Sequence, residues 1–444
     1  MTHLAALNVL VRNLRLAKMP QSAFSAHPFG EHCMAALRTL LLLVLINISA
    51  FGGEGDWPQW RGPKRDGLST ETGLLKQWPA AGPPLAWRAT GVGAGFSSVS
   101  VSGGKVFTMG DVQGNSCIIA LDLSGKVLWT AKVGGVGGGG GYPGTRCTPA
   151  ISGDVVIGMS QYGEIVCVHG KTGAEVWRKH MEKDFGGKMM SGWGYSESPL
   201  IDGELVILTP GGPKGTVLAL KKTTGELVWR TADYKDAAAY SSVVPAEIGG
   251  VPQYLQLTGQ SVAGIGAKDG KLLWRADRAG ATAVISTPIY HEGLVYVTSG
   301  YGVGCNAFAV KAENGAFSTN QIYANKSMKN HHGGVIRVGD HVYGFNDSGG
   351  WTCMELKTGN VAWSDKGVGK GAIAYADGHL YMRGESGPGS IALVEATPAA
   401  YKEKGRFDPP DRSKAHSWAH PVIAGGKLYI RDQDVLLCYD VKAK

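Results

Sequence analysis

Arg146, Glu197, His332 and Lys370 are four titratable residues, each standing just ahead of a segment that opens like a β-strand. Their types carry chemistry: a guanidinium holds an anion through paired hydrogen bonds, and carboxyl and imidazole groups exchange protons. Aromatic residues take the equivalent places elsewhere, as Phe96, Tyr240 and Trp418, while Trp193 and Tyr195 come shortly before Glu197. These positions read as a rim able to take an anionic or sugar-like ligand. Glu197 and His332 are the acid–base candidates, and Glu197 is also the candidate metal ligand. Arg146, Trp193, Tyr195, Tyr240, Lys370, Trp418 and His420 are the candidate ligand contacts. Neighbouring side chains on a strand face opposite ways, so only one of His331 and His332 is expected to point inward.

What must position these residues is a repeat. The phrase GKVLW ends at Trp129 and returns as GAEVW at Trp177, GELVW at Trp229, GKLLW at Trp274 and GNVAW at Trp363. The spacing is 48, 52, 45 and 89 residues, the last being two repeats with a degenerate member near Phe317. A period in the forties marks an array of identical supersecondary units. Each unit opens on a small or polar residue, often followed by Pro, then runs strand, tight turn, strand, loop, strand, glycine turn and Trp strand. Eight openings occur, at Ser98, Thr148, Ser198, Ser242, Thr287, Gly334, Ala372 and His420. The expected fold is all-β, an eight-bladed propeller of four-stranded antiparallel blades. The last unit lacks its Trp strand, and Leu85-Ala86-Trp87-Arg88 is a Trp strand with no blade before it. Pairing the two closes the ring and removes the exposed sheet edge.

In a propeller the loop that enters each innermost strand rims the central channel. One position ring reads Ser97, Cys147, Glu197, Ser241, Ser286, Gly333, Gly371 and Ala419. The ring one residue earlier reads Phe96, Arg146, Ser196, Tyr240, Ile285, His332, Lys370 and Trp418. Two glycine-containing spans, Gly134–Gly141 and Asp184–Tyr195, are long enough to close over a ligand. The first is not a phosphate loop, because the GxxxxGK(S/T) spacing is missing. Counting six residues back from the turn glycine gives Cys167, Ala219, Gly264, Ala309 and Cys353, with Ala120 and Cys438 in the same slot. A slot restricted to Ala, Gly and Cys is a tight buried position where a thiol acts as a small hydrophobe. The recurring tryptophans read as packing between blades.

Composition agrees with this frame. Glycine, at 67 of 444 residues, is about twice as frequent as the ~7% usual in proteins, and turns are where an all-β chain uses it. Leu40 to Ile46 is an apolar run behind Arg38 and ahead of small residues, far short of the ~20 residues a membrane span needs. It reads as the core of a signal peptide over 34–52, with residues 1–33 an extension ahead of the true start and 53–84 an extended segment packing on the propeller of 85–444. Cys33 precedes the apolar run, so no lipid-attachment motif is formed, and the expected location is periplasmic or secreted. Removing residues 1–50 takes away four basic and one acidic residue and lowers the net charge from +8 to +5, with no basic cluster to suggest nucleic acid. No CxxC or CxxCH occurs, which excludes a zinc ribbon and an attached c-type haem. A monomer without a membrane span in the mature chain is expected.

The phrases ALDLSGKVLW, VLALKKTTGELVW and CMELKTGNVAW resemble the PQQ-type propeller repeat of quinoprotein alcohol dehydrogenases and of outer-membrane assembly lipoproteins. The segments DWPQWRGP, SGWGYSESPL, NHHGG and WAHPVI are similar to those of secreted planctomycete-type propellers described as PQQ-binding-like or polyvinylalcohol-dehydrogenase-like. The resemblance implies a PQQ cofactor with calcium and an oxidoreductase acting on an alcohol or polyol. Those dehydrogenases hold the quinone against a disulfide of adjacent cysteines and place calcium by Glu, Asn and Asp. Here no Cys-Cys dipeptide occurs, and Glu197 has no matching Asn and Asp. The alternative is a non-catalytic propeller that binds a glycan, another small molecule or a partner protein at the channel mouth. The missing motifs weigh toward that alternative.

Overall fold

The computed structural model describes residues 55–137 and 141–443. The expected signal peptide and the residues ahead of it lie outside the described residues. All described elements are strands, grouped in eight small antiparallel sheets set in a ring, an eight-bladed β-propeller. Blade 1 is built from Ser100–Ser102, Lys105–Val112, Asn115–Asp122 and Val127–Gly135. Blade 2 runs from Ala150–Ser152 to Glu175–His180, blade 3 from Leu200–Asp202 to Leu227–Arg230, and blade 4 from Val244–Ile248 to Leu272–Asp277. Blade 5 runs from Ile289–His291 to Ala316–Asn325, blade 6 from Val335–Val338 to Val361–Asp365, and blade 7 from Gly371–Ala376 to Glu403–Phe407. Blade 8 joins Val422–Ala424, Lys427–Asp432 and Val435–Asp440 to Leu85–Ala89 from the other end of the chain. The pairing of Trp87 with Cys438 closes the ring as the repeat grammar anticipates.

The repeat is rigid because its register is. In blades 1, 2, 3 and 8 the first strand pairs Ser100 with Phe107, Ala150 with Ile157, Leu200 with Ile207, and Val422 with Tyr429. Blade 4 pairs Val244 with Leu255, its first hairpin being longer than in those four blades. The tight slot faces the tryptophan across the outer strand pair: Ala120 with Trp129, Cys167 with Trp177, Ala219 with Trp229, Gly264 with Trp274, and Cys353 with Trp363. All six described cysteines are buried and unpaired. Blade 5 corrects the expectation. Its outer hairpin is longer, so counting from Gly315 lands two residues late; the slot is Ala307, not Ala309, and Tyr323, not Phe317, stands where the tryptophan does elsewhere. In blade 7 that place is Gly405, and Trp78 from the N-terminal segment packs over it instead.

Most of these rings bond to the next blade. The indole N–H of Trp87 donates to Leu123 O, that of Trp177 to Lys222 O and that of Trp363 to Thr397 O, each at 2.8 Å, and Tyr323 Oη donates to Leu356 O at 2.7 Å. Trp274 instead donates within its own blade to Gln253. The ring lies flat on the glycine turn of the neighbour. A Cβ on Gly225 would fall 2.8 Å from the Trp177 ring, and its φ of +70° suits glycine alone.

On the inner side the blade-opening hydroxyls form a chain of bonds. Thr148 Oγ1 accepts from Ser98 N at 3.1 Å, Ser198 Oγ from Thr148 N at 2.9 Å, and Ser242 Oγ from Ser198 N at 2.9 Å. Ser98 Oγ donates to His420 O at 2.7 Å and so joins blade 1 to blade 8. This explains why the openings favour Ser and Thr. Buried arginines extend the tie to blade 7: Arg383 of blade 7 donates to Arg431 O of blade 8, and Arg431 donates to Thr108 Oγ1 and Met109 O of blade 1.

The segment ahead of the ring crosses the inner strands. Trp57 exchanges backbone bonds with Val101, Ile151 N donates to Pro58 O, and Leu68–Ser69 pairs in parallel with Tyr375 and Ala376. Arg61 donates to Val335 O at 2.6 Å, and Arg65 donates to Ser198 O at 2.8 Å and Pro199 O at 2.9 Å. Blades 1, 2, 3, 6 and 7 are thereby bound to one short stretch, which closes one side of the channel. Trp177→Ala is expected to lower unfolding stability by about 3 kcal/mol, as loss of a buried ring between packed surfaces does. Gly225→Ala at the same contact is expected to lower it by about 1–2 kcal/mol. Equilibrium urea unfolding of both variants measures this.

Candidate functional site

A cavity of about 160 Å³ occupies the axis at the rim. Seven of the eight residues in the second position ring line it: Phe96, Arg146, Ser196, Tyr240, Ile285, His332 and Trp418. Their side chains converge because six of them stand four residues ahead of an innermost strand and His332 stands three ahead. Lys370, the eighth, does not line the cavity. Its ammonium meets Asp347 Oδ1 at 2.8 Å and His331 Nδ1 at 2.7 Å, behind the wall. The first ring turns away: Ser97, Cys147, Glu197, Ser241 and Ser286 are buried between blades.

One wall is a stack of rings. Phe96 and Trp418 lie 4.3 Å apart, Trp418 and His332 4.0 Å, and His332 and His331 3.6 Å, all within about 25° of parallel, and Tyr301 meets His331 edge-on at 5.0 Å. Tyr142 and Trp193 form a looser pair at 5.7 Å at the mouth, and Tyr142 also reaches Trp418 at 5.0 Å. Trp60 closes the opposite end against His420 at 4.6 Å. His420 donates from Nε2 to His332 O at 3.0 Å, so the floor and the wall are bonded.

Both members of the His331-His332 pair line the cavity, which corrects the expectation that only one would. Residues 330–334 form a bend and not a strand, so alternation does not apply. Asn330 holds the bend through Nδ2 to Gly334 O at 3.0 Å, and a Cβ on Gly333 would fall 1.7 Å from Gly371 O. Burial pushes His331, His332 and His420 down to about 3, with Lys370 and Arg146 adding repulsion at His332 and Arg61 at His420. The three imidazoles are neutral at neutral pH. His332 Nδ1 lies 3.6 Å from Glu385 Oε2, and burial raises the Glu385 carboxyl.

Arg146 donates to Trp193 O and, at 3.0 Å, to Tyr142 O. The two spans read as covers therefore meet at this residue; residues 138–140 of the first lie outside the described residues. Tyr240 Oη is bonded to Ser191 Oγ. Tyr195 lies behind the cavity, buried, donating to Pro210 O at 3.0 Å. Glu197 is also behind it: 2% exposed, accepting from Thr209 N at 2.6 Å and raised to about 7 by burial, against the pull of Arg65. Among the sequence candidates, Arg146, Trp193, Tyr240, His332, Trp418 and His420 are thus brought together, and Glu197, Tyr195 and Lys370 are not. Trp60, Tyr142, Tyr301 and Ser242 also line the cavity. Tyr142 was legible only as part of the run leading into Arg146, and Trp60 only as a member of the segment DWPQWRGP, because it lies outside the repeat.

The donor set does not fit a calcium-bridged quinone. Among the described residues no carboxylate or carboxamide lines the cavity, and Glu197 is turned toward Thr209. Among the described residues, His291, Glu292 and Asp340 are a group spaced for a metal, but they sit at hairpin turns of blades 5 and 6, where Lys357 pairs with Glu292 at 3.1 Å.

The architecture is that of a propeller with one end closed and a ring-lined pocket at the other. The family described as outer membrane protein assembly factor BamB matches residues 114–365, more than half of the chain, and the chain belongs to this PQQ-repeat family. No curated protein matches the chain. Among solved structures it is similar to BamB from Moraxella catarrhalis, at 15% identity and a TM-score of 0.54, over 78% of this chain and 94% of that one. It is also similar to the computationally designed protein Ika8, at 12% identity and a TM-score of 0.54, over 81% and 100%. Quinohemoprotein alcohol dehydrogenase from Comamonas testosteroni matches at 12% identity and a TM-score of 0.51, over 90% and 82%. At these identities the likeness is one of fold.

The histidine burial has a measurable consequence. Each imidazole falls from an ordinary 6.5 to about 3 in the folded chain, so the unfolded chain binds more protons between those values. Stability is expected to be full above pH 6.5 and to fall as the pH drops toward 3. His420→Asn is expected to flatten that slope, read by denaturant unfolding at a series of pH values.

Proposed function

We propose that the chain is an exported binding protein whose axial pocket takes a small sugar-like ring. The observation that supports this is the composition of the lining: a wall of stacked rings, hydroxyls of Ser196, Ser242 and Tyr240, one arginine, and no carboxylate. Stacking faces with a few placed polar groups are how pockets hold polyols. Glycoside hydrolysis usually needs a pair of carboxylates across the bond, and the lining offers none. Arg146, Trp193, Tyr240, Trp418 and His420 are the ligand contacts in this reading, with His332 a neutral hydrogen-bonding group in place of a base. Glu197, Tyr195 and Lys370 support the wall from behind.

The second reading is a quinone-dependent oxidoreductase acting on an alcohol. The family and the flat aromatic wall favour it; the donor set does not. A protein partner at the channel mouth is the other form of the binding reading, in keeping with a family described as an outer membrane protein assembly factor. Export as a propeller of 85–444 with 53–84 packed on it rests on the leader-like residues.

Thermal shift and calorimetry of the exported chain with a panel of mono- and oligosaccharides tests the proposal. Binding of at least one sugar is expected, with Trp193→Ala weakening it by about tenfold, as loss of a stacking face does. Dye reduction that depends on PQQ, Ca²⁺ and an alcohol, with no sugar bound, would replace the binding reading with the oxidoreductase.

A further inference from the structure

The pocket has an unbalanced charge, and it points to one class of ligand. Six basic side chains lie at or behind the cavity wall. Lys370 is engaged by Asp347 at 2.8 Å and by His331 at 2.7 Å. His331, His332 and His420 are uncharged, because burial disfavours the imidazolium. Arg61, beneath Trp60, donates to Val335 O and Asp66 O, lies outside the cavity lining and has the Asp66 carboxylate beside it. Arg146 remains. It lines the cavity, is half-buried, and forms no ion pair among the described residues. Two backbone carbonyls meet its guanidinium, those of Trp193 and Tyr142, out of five donors that the group carries.

A guanidinium drawn partly out of water with no ion pair is costly to keep charged; Asp111, bonded to Ser116 and outside the lining, favours its charge only from a distance, and an anion in the cavity would meet it directly. The two carbonyls orient the group without neutralising it. Arginine stays protonated under these conditions, so loss of its proton does not relieve the cost. Around it are groups suited to a hydroxylated ring: the Ser196 and Ser242 hydroxyls, the Tyr240 phenol and the stacked Tyr142 and Trp193. A flat apolar acid would leave those hydroxyls unmet, and a neutral sugar would leave the charge unmet.

Resting on the binding reading of this pocket, we infer that its ligand is a sugar acid whose carboxylate is held by Arg146. The carboxylate takes the free donors of the guanidinium fork, and the ring lies along the aromatic wall with its hydroxyls toward the serines. An amino sugar is disfavoured, since the lining has no carboxylate to receive an ammonium.

The experiment is calorimetric titration of the full exported chain with D-glucuronate and D-galacturonate beside D-glucose and D-galactose, at neutral pH. The acids are expected to bind about tenfold or more tightly than their parent sugars, the worth of one charge-assisted hydrogen-bond pair. Raising the salt from about 50 to about 500 mM is expected to weaken the acids and leave the neutral sugars unchanged. Arg146→Gln is expected to abolish the preference for the acids, and Arg146→Lys to keep part of it. Equal affinity for acids and neutral sugars, or a preference that survives Arg146→Gln, overturns the inference and leaves the binding reading standing. If neither class binds, the binding reading falls and the inference with it. Should Arg146→Gln not fold, the wild-type preference, its salt dependence and Arg146→Lys decide the matter.

Discussion

Eight blades enclose a channel only if the ring closes, and one pairing between the two ends of the chain closes it. Leu85–Ala89 lies antiparallel to Val435–Asp440, with Trp87 opposite Cys438. Bringing such distant segments together costs loop entropy, though that cost grows only slowly with length. The seam is correspondingly well tied. Trp87 reaches Leu123 O in blade 1, Ser98 Oγ reaches His420 O, and Arg431 donates across the join to Gly93 O and Met109 O. Without that seam the first and last rim residues, Phe96 and Trp418, would not meet, and the aromatic wall starts with their stacking.

The N-terminal segment turns a channel into a pocket. A ring of eight blades leaves an axial hole, and residues 56–69 lie across its inner strands with Arg61 and Arg65 as buried staples. Trp60 then stands as the floor against His420. The closed end excludes water from one side, which is why the imidazoles above it are held neutral and why a cation at the rim stands out. Fold closure and pocket electrostatics are in this way one arrangement. Trp78 of the same segment replaces the ring that blade 7 lacks at Gly405, so the segment completes the packing as well as the site.

Much of this was legible in the residue order, for a physical reason. Strand register repeats with the chain, so counting from a tryptophan to a blade opening names rim residues without knowledge of the fold's coordinates. Phe96, Arg146, Tyr240 and Trp418 were found that way. The count failed where a hairpin changed length: in blade 5 the slot moved from Ala309 to Ala307, and Tyr323 took the aromatic place. It also failed where a local bend replaced a strand, as at His331 and His332. Glu197 had the type and place of a catalytic acid, but which way a side chain turns at a blade junction depends on its neighbours. Thr209 N and the approach of Arg65 turn it from the cavity.

The sequence by itself determined the number of blades, their register, the strand that closes the ring and the ring of positions from which a site is built. These follow from local periodicity, and periodicity is carried by nearest neighbours along the chain. Only the tertiary structure decided which of two adjacent position rings faces the axis, that Trp60 floors the pocket, and that Lys370 is neutralised while Arg146 is not. Those are contacts between residues tens to hundreds of positions apart, where pairing, burial and charge balance are settled by what the folded neighbours leave unsatisfied.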